Sequence, residues 1–335
     1  MYCIMNNFDN DVMVSINCIT YNHEKYIKEA LEGFLMQKTN FKYEILIHDD
    51  ASTDNTANII KEYEKKYPKI IKPIYQKENQ YSKGVKVDME YNLKRAKGKY
   101  IALCEGDDYW TDPYKLQKQV NFLEKNQKFS MCFHNAKIVD ENKNILHYYK
   151  GFNPRGKKVN YLKDIIAGNY IPTCSVVFRN HLIDYSDYEV LSNGLWFGDW
   201  VIHILNAKEG LIYYINEDMA VYRVTSTGLS KTTNTIKKLE DILKFYKRLD
   251  KYFDDKNIKR IINKKMIQYK IELYIEYVRR NELEKAEELF QNIKKSDIFI
   301  KAGPKESLKL FLIKHFPNQY DNIRQNYRKL RGIEE

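Results

Sequence analysis

The feature that most constrains this chain is an alternation across its first 125 residues. Val12–Cys18 is an apolar β-type run, and Glu24–Met36 follows with Tyr26, Ile27, Ala30, Leu31 and Phe34 at helical spacing, Asn22 standing where an N-cap belongs. Tyr43–His48 predicts a second strand. Thr53 or Asp54 then caps a helix in which Ile59, Ile60 and Tyr63 share a face until Tyr67-Pro68 ends it. Ile70–Tyr75 reads as a third strand, Lys86–Lys97 as a helix stopped at Gly98, and Lys99–Cys104 as a fourth strand; Asp112-Pro113 opens a helix over Tyr114–Asn126. Parallel neighbours need helical crossovers, so a β-α-β-α series implies a mostly parallel sheet covered by helices, an α/β class.

Beyond Phe129 the texture changes twice. Short β runs (Phe129–His134, Cys174–Phe178, Leu211–Ile215, Ala220–Val224) surround a polar stretch at 153–160, and a helix is expected from near Asp199. After Ser226 strand signals stop, and Leu239–Phe253, Lys259–Arg279, Glu282–Lys294 and Lys305–Phe316 read as helices; Asn281–Ala286 resembles the turn and second-helix start of a tetratricopeptide-like pair. This divides the chain into an α/β domain at 1–230 and an all-α extension at 231–335. The formal charge of +11 is concentrated in the second part, where residues 235–335 hold 25 Lys+Arg against 16 Asp+Glu. Those bases are interleaved with acids in no nucleic-acid-binding motif, so nucleic acid is not an expected partner. The five cysteines, including Cys3, form no C-x-x-C pair, which argues for reduced thiols rather than a disulfide framework or zinc site. No apolar run nears the roughly 18 to 20 residues of a membrane span, and Asp9 and Asp11 sit where a secretory signal would be basic, then apolar. The expected location is the cytoplasm.

In a parallel α/β sheet ligands bind beyond the carboxyl ends of the strands. Three of the early strands end in polar clusters there: Ile19-Thr20-Tyr21-Asn22-His23-Glu24, Asp49-Asp50-Ala51-Ser52-Thr53-Asp54 and Glu105-Gly106-Asp107-Asp108-Tyr109-Trp110. An isolated Asp-Asp is ordinarily turn chemistry. Asp107-Asp108 instead follows a buried-type strand and a glycine, with a capped helix behind it. Adjacent carboxylates repel unless a cation holds them, and Mg²⁺ is usually held by one or two carboxylates plus substrate phosphates. The chain has no G-x-G-x-x-G after the first strand, no G-x-x-x-x-G-K-[ST], no G-x-S-x-G and no H-E-x-x-H, which removes the dinucleotide, P-loop, serine-hydrolase and zincin classes. His48 and His134 read as structural histidines.

At this point a likeness is visible. Val14–Asn22 (VSINCITYN), Glu44–Thr56 (EILIHDDASTDNT), Lys99–Leu116 (KYIALCEGDDYWTDPYKL) and Leu195–Trp200 (LWFGDW), in this order, resemble the inverting family 2 glycosyltransferases of the GT-A fold over about residues 12–230. The resemblance implies that Tyr21, after Thr20, packs on the nucleotide base, that Asp50, beside Asp49, hydrogen-bonds it, and that Glu24 supports the nucleoside side of the pocket. It implies that Asp107 and Asp108 match the D-x-D region, touching the ribose and holding Mn²⁺ or Mg²⁺ on the diphosphate, with Glu105 in the slot where many relatives carry the first Asp. Asp199 matches the catalytic base. Many relatives have a His after the late Tyr-Arg, whereas this chain reads Tyr222-Arg223-Val224-Thr225, and Thr is a poor metal ligand; Arg223 then either supports the diphosphate or is simply ion-paired. Trp196, Phe197 and Trp200 read either as an apolar wall for a sugar ring or as core.

The activity this implies is transfer of a sugar from a nucleotide donor, UDP-linked by expectation, to a hydroxyl of a glycan, a lipid-linked oligosaccharide or a glycoprotein. A non-catalytic GT-A-like module binding a nucleotide or partner through the helical tail is the alternative, motivated by Thr225. A paired-carboxylate glycoside hydrolase fits poorly because it needs no nucleotide pocket. The basic tail reads equally as a segment lying on an anionic membrane surface at the inner face and as a bundle for homo-oligomerisation.

Overall fold

A computed structural model describes residues 12–148, 157–226, 228 and 232–291. Cys3, the helix expected over Lys305–Phe316 and the first half of the polar stretch 153–160 lie outside the described residues. The chain divides into two compact units, Met1–Thr232 and Thr233–Glu335.

In the first unit ten strands form one sheet: β1 Val12–Thr20, β2 Lys42–Asp49, β3 Ile71–Tyr75, β4 Tyr100–Leu103, β5 Tyr109–Trp110, β6 Phe129–Val139, β7 Ile145–Tyr148, β8 Val159–Asn160, β9 Val177–Arg179 and β10 Leu211–Arg223. Their order is β3-β2-β1-β4-β9-β6-β10-β5, with β7 on β6 and β8 on β10. Strands β3, β2, β1 and β4 are parallel, as the alternation predicts, while β9 enters antiparallel between β4 and β6 and makes the sheet mixed. The helices of this unit are α1 Ile27–Leu35, α2 Thr56–Lys66, α3 Lys115–Lys125, α4 Leu162–Ile166, α5 Tyr185–Ser192 and α6 Asp199–Glu209. Val14, Ile16 and Cys18 alternate onto one face of β1 and join Ile45 and Ile47 of β2 and Ile27, Ala30, Leu31 and Phe34 of α1 in one core, all removed from water. Burying each large aliphatic side chain contributes about 1.5–3 kcal/mol, enough to fix the register of the crossovers.

Three expectations change. The helix α1 starts at Ile27, and Asn22 is not its cap: it adopts a left-handed conformation (φ 54°) and its side chain serves the neighbouring loop. The segment Lys86–Lys97 is not one α-helix but a wide turn over Asp88–Asn92 followed by a tight one over Leu93–Arg95. The cause is Asn92, whose amide nitrogen reaches into the sheet to Asn17 Oδ1 (2.8 Å) and to the carbonyls of Cys18 and Leu46 (3.1 Å each). Pulling one side chain inward inserts an extra residue into the turn, as is common beside functional sites. The two late β runs are one strand, β10, because Asn216-Glu217-Asp218 forms an exposed bulge that interrupts the side-chain alternation without ending the pairing with β6.

The second unit is helical: α7 Thr235–Tyr252, α8 Lys256–Arg279 and α9 Leu283–Gln291. Leu239 and Leu243 of α7, Ile267, Ile271, Leu273, Tyr274 and Ile275 of α8 and Ala286 of α9 share a core of their own. Asn281 takes the left-handed position (φ 58°) that stops α8, with Asn281 N–H donating to the Val278 carbonyl (3.1 Å) and Glu282 N–H to the Tyr277 carbonyl (2.9 Å). Among the described residues no helix is long and apolar enough to cross a membrane.

Candidate active site

Because β1, β2 and β4 run parallel, their carboxyl ends open on one edge, with Thr20 paired to Asp49. The loops after β1 and β2 are stitched together. Asn22 N–H donates to Ser52 Oγ (2.9 Å) and its Oδ1 accepts from Thr53 N–H (2.8 Å); Glu24 N–H donates to Asp54 Oδ2 (3.0 Å) and Glu24 Oε2 accepts from Asn55 N–H (2.9 Å). Glu24 thus has a carboxylate oxygen committed to the start of α2, while Tyr21 stands 44% exposed beside this seam. Asp49 and Asp50 are both buried. Ser52 donates to Asp49, whose carboxyl burial nonetheless holds above the usual range. Asp50 accepts the backbone N–H groups of Gln80 (2.8 Å, Oδ1) and Tyr81 (2.9 Å, Oδ2).

The loop after β4 carries the acids. Gly106 lies against Thr20: a Cβ there would fall 2.7 Å from Thr20 Oγ1 and 2.8 Å from Thr20 Cβ, so only glycine lets the loop approach β1 this closely. Beyond it, β5 pairs antiparallel with Ala220 and Val221 of β10, which brings Arg223 over the loop. Arg223 N–H donates to Asp108 Oδ1 (2.8 Å), its Nη1 to the Asp107 carbonyl (2.6 Å) and its Nη2 to Glu29 Oε2 (2.7 Å), with the guanidinium over the rings of Tyr26 (4.6 Å) and Tyr109 (5.2 Å). The buried guanidinium is ion-paired to Glu29 and braces the loop. Thr225 is buried as well.

One carboxylate oxygen from each of Glu105, Asp107 and Asp108 lies within 4.8 Å of the others. Removal from water, and then the charges of Asp107, Asp199 and Asp88, push Glu105 up to about 8. Burial, Asp107 and Glu105 drive Asp108 well above the carboxylate range, and its Oδ2 is buried without a partner. Like charges with an unpaired buried oxygen fit a hard divalent cation, which takes oxygen ligands and reverses this electrostatic cost.

Asp199 opens α6, and burial holds its carboxyl above the ordinary range against the hydrogen bonds of its own helix start, Asn169 and Thr173. Asn169 Nδ2 donates to Asp199 Oδ2 (2.9 Å) and Thr173 Oγ1 to the same oxygen (3.4 Å). The segment before it is tethered by Lys86, which donates to the carbonyls of Leu195 and Phe197, and by Tyr81 Oη to the Trp196 carbonyl (3.3 Å). Gly198 packs under the Tyr188 hydroxyl and beside Asp88. Trp200 turns into the core, its indole N–H donating to the Ile165 carbonyl (2.8 Å), and Phe197 is buried, while Trp196 is half-buried.

The model of glycosyl transferase family 2 matches residues 15–186, just over half of the chain. The chain belongs to glycosyl transferase family 2. An uncharacterised protein of Mycobacterium tuberculosis is 40% identical over 217 residues, which cover 64% of this chain and 60% of that protein; the match thus spans under two thirds of the relative. Among solved structures, S. aureus TarS in complex with UDP-GlcNAc aligns with a TM-score of 0.59 at 18% identity over 77% of this chain and 72% of TarS. The Pyrobaculum calidifontis mannosyltransferase in complex with GDP-Man and Mn²⁺ aligns at 0.53 and 14% identity, covering 94% and 84%. The fold of this family 2 member is the GT-A arrangement expected from the sequence, with a helical C-terminal unit. Sequence reading missed four residues beside the acids: Asp88, Glu29, Asn169 and Thr173. None sits in a motif, and Asp88 lies in a segment that reads as plain helix.

Proposed function

We propose that this family 2 protein is an inverting glycosyltransferase. It takes a sugar from a nucleoside-diphosphate donor, UDP-linked by the analogy of TarS with UDP-GlcNAc, and passes it to an acceptor hydroxyl. The observation that carries the reading is the acidic cluster: one carboxylate oxygen from each of Glu105, Asp107 and Asp108 lies within 4.8 Å of the others, and the charge of Asp199, on a helix remote in sequence, is felt at Glu105. Asp107 and Asp108, with Glu105, are the residues to hold Mn²⁺ or Mg²⁺, and an ion bound there would neutralise charge growing on the departing diphosphate. Tyr21 and the buried Asp49–Asp50 edge border the nucleoside side, and Trp196 borders the sugar. Asp199 takes the proton from the acceptor oxygen as it attacks the anomeric carbon opposite the diphosphate, a contribution of about 10² to 10⁴-fold. A raised carboxyl is a stronger base once ionised, which suits an alcohol donor. The acceptor class we favour is a growing bacterial surface glycan or its lipid-linked precursor, met at the cytoplasmic face, where a net-positive tail suits an anionic surface.

The test combines binding and turnover. UDP-, GDP- and dTDP-sugars are screened by thermal shift with Mn²⁺, and nucleotide release is then followed for the best donor. A stabilising donor is expected for the wild-type chain, with Asp199→Asn retaining the shift and losing turnover by at least about a hundredfold. No shift with any nucleotide in the presence of Mn²⁺ would leave the non-catalytic module.

A further inference from the structure

A carboxylate acting as a base must offer one lone pair in a fixed direction, since the hydroxyl it deprotonates has to come within about 2.6–3.2 Å. On Asp199, Oδ2 is already held by Asn169 Nδ2 at 2.9 Å and Thr173 Oγ1 at 3.4 Å. The amide of Asn169 is itself held. Its Oδ1 accepts from Ile171 N–H at 3.2 Å and lies 3.2 Å from His203 Nδ1. With donors on the oxygen side, the NH₂ end is directed at Asp199. His203 supplies one of those donors only if its proton is on Nδ1. Its ring is wholly buried in α6, its Nε2 has no partner, and burial pushes the imidazole down to about 3, so it is neutral with a single proton. Asn169 Oδ1 is the acceptor within reach, and the proton belongs at Nδ1.

We propose that His203 and Asn169 form a positioning brace for the base: His203 fixes the amide of Asn169, and the amide fixes Asp199 so that Oδ2 is committed and Oδ1 receives the acceptor proton. The inference rests on the proposed role of Asp199. No proton travels along this chain, because an amide does not titrate; the brace sets direction. Asp88, Glu105 and the Tyr188 hydroxyl each feel the charge of Asp199, and the nearby ammonium of Lys86 is engaged by the Leu195 and Phe197 carbonyls. A neutral amide donor therefore stabilises the carboxylate without neutralising it, which a lysine in the same place would do. His203 sits one turn along the same helix as Asp199, so α6 carries both the base and the far end of its brace.

The experiment measures UDP release from UDP-GlcNAc, UDP-Glc or whichever donor gives the largest thermal shift, with Mn²⁺ and water as acceptor, in the full chain. Asn169→Ala is expected to lower kcat about ten- to a hundredfold with donor KM within about twofold, as misplacement of a reacting group does. His203→Leu should match that loss, and His203→Asn, whose amide nitrogen occupies the place of Nδ1, should recover most of it. Asp199→Asn separates the two claims. Full turnover by Asp199→Asn, or no turnover of any donor by the wild-type chain, overturns the base reading and the brace with it. An inactive Asp199→Asn beside Asn169→Ala at wild-type kcat overturns the brace alone, as does an equal loss in His203→Leu and His203→Asn. Should His203→Leu fail to fold, Asn169→Ala and Thr173→Val, both outside the helix, carry the decision by the same kcat criterion.

Discussion

At the scale of single residues the molecule's least expected group is Lys115. It is wholly buried, its ammonium 4.0 Å from the Trp110 ring centre and 2.8 Å from Gln119 Oε1, and burial pulls it from 10.5 down to about 8, the neighbouring Cys104, Cys132 and Cys174 acting the other way. A depression of that size is a cost of about 3 kcal/mol for the charged form, an order-of-magnitude figure. The sign follows from proton counting. Below pH 8 both folded and unfolded chains hold the proton and the full cost is present; between about 8 and 10.5 the unfolded chain holds more protons than the folded one, so stability rises with pH. The buried thiols Cys18, Cys104, Cys132 and Cys174 are shifted up and act in the opposite sense, so the difference between variants is the useful quantity. Lys115→Met removes the ammonium and strands Gln119 Oε1. Measured by urea unfolding, the wild type should gain on Lys115→Met by about 2–3 kcal/mol between pH 7.5 and 10.5; a pH-independent gap would mean that the lysine is not buried in its charged form.

At the scale of elements, the loop joining β4 to β5 is where fold and chemistry meet. It is trapped on one side by the contact of Gly106 with Thr20 and on the other by Arg223, whose guanidinium joins the Asp107 carbonyl to Glu29 on α1. Gly106→Ala is expected to cost about 1–3 kcal/mol of stability by overpacking. It should also weaken Mn²⁺ binding several-fold in calorimetry by displacing Glu105 and Asp107. Unchanged stability and unchanged metal binding together would show that the loop is not gripped there. The same element-level view explains what the sequence concealed. Strands β1 to β4 were legible because apolar runs alternated with helical faces, but the wide turn at Asp88–Asn92 is imposed by a side chain reaching three strand atoms, and no local pattern records that. The bulge in β10 likewise masqueraded as a gap between two strands.

At the scale of the whole molecule, the described residues include one core under the sheet of the first unit and another among α7, α8 and α9 of the second. A ligand that binds a folded unit stabilises it by about 2.7 kcal/mol at a hundred times its dissociation constant. Calorimetry with UDP and Mn²⁺ should therefore raise the transition that unfolds Met1–Thr232. No shift of any transition at saturating UDP and Mn²⁺ would contradict a nucleotide site in that unit.

What the sequence determined by itself was the series of local preferences: where strands and helices run, which end of the sheet gathers acids, and which family the chain resembles. Period and capping chemistry act over a few residues and are written in order along the chain. The tertiary structure decided how those acids are used. Arg223 reaches Glu29 on α1 because β5 pairs with β10. Trp200 could have lined a pocket, and a bond to Ile165 chose the core. Asn169 found both Asp199 and His203 through a fold that joins residues 30 and 34 positions apart. Side chains with more than one satisfactory partner are settled by which partner the packed backbone brings within hydrogen-bond distance, and that distance exists only once the sheet and its helices have closed.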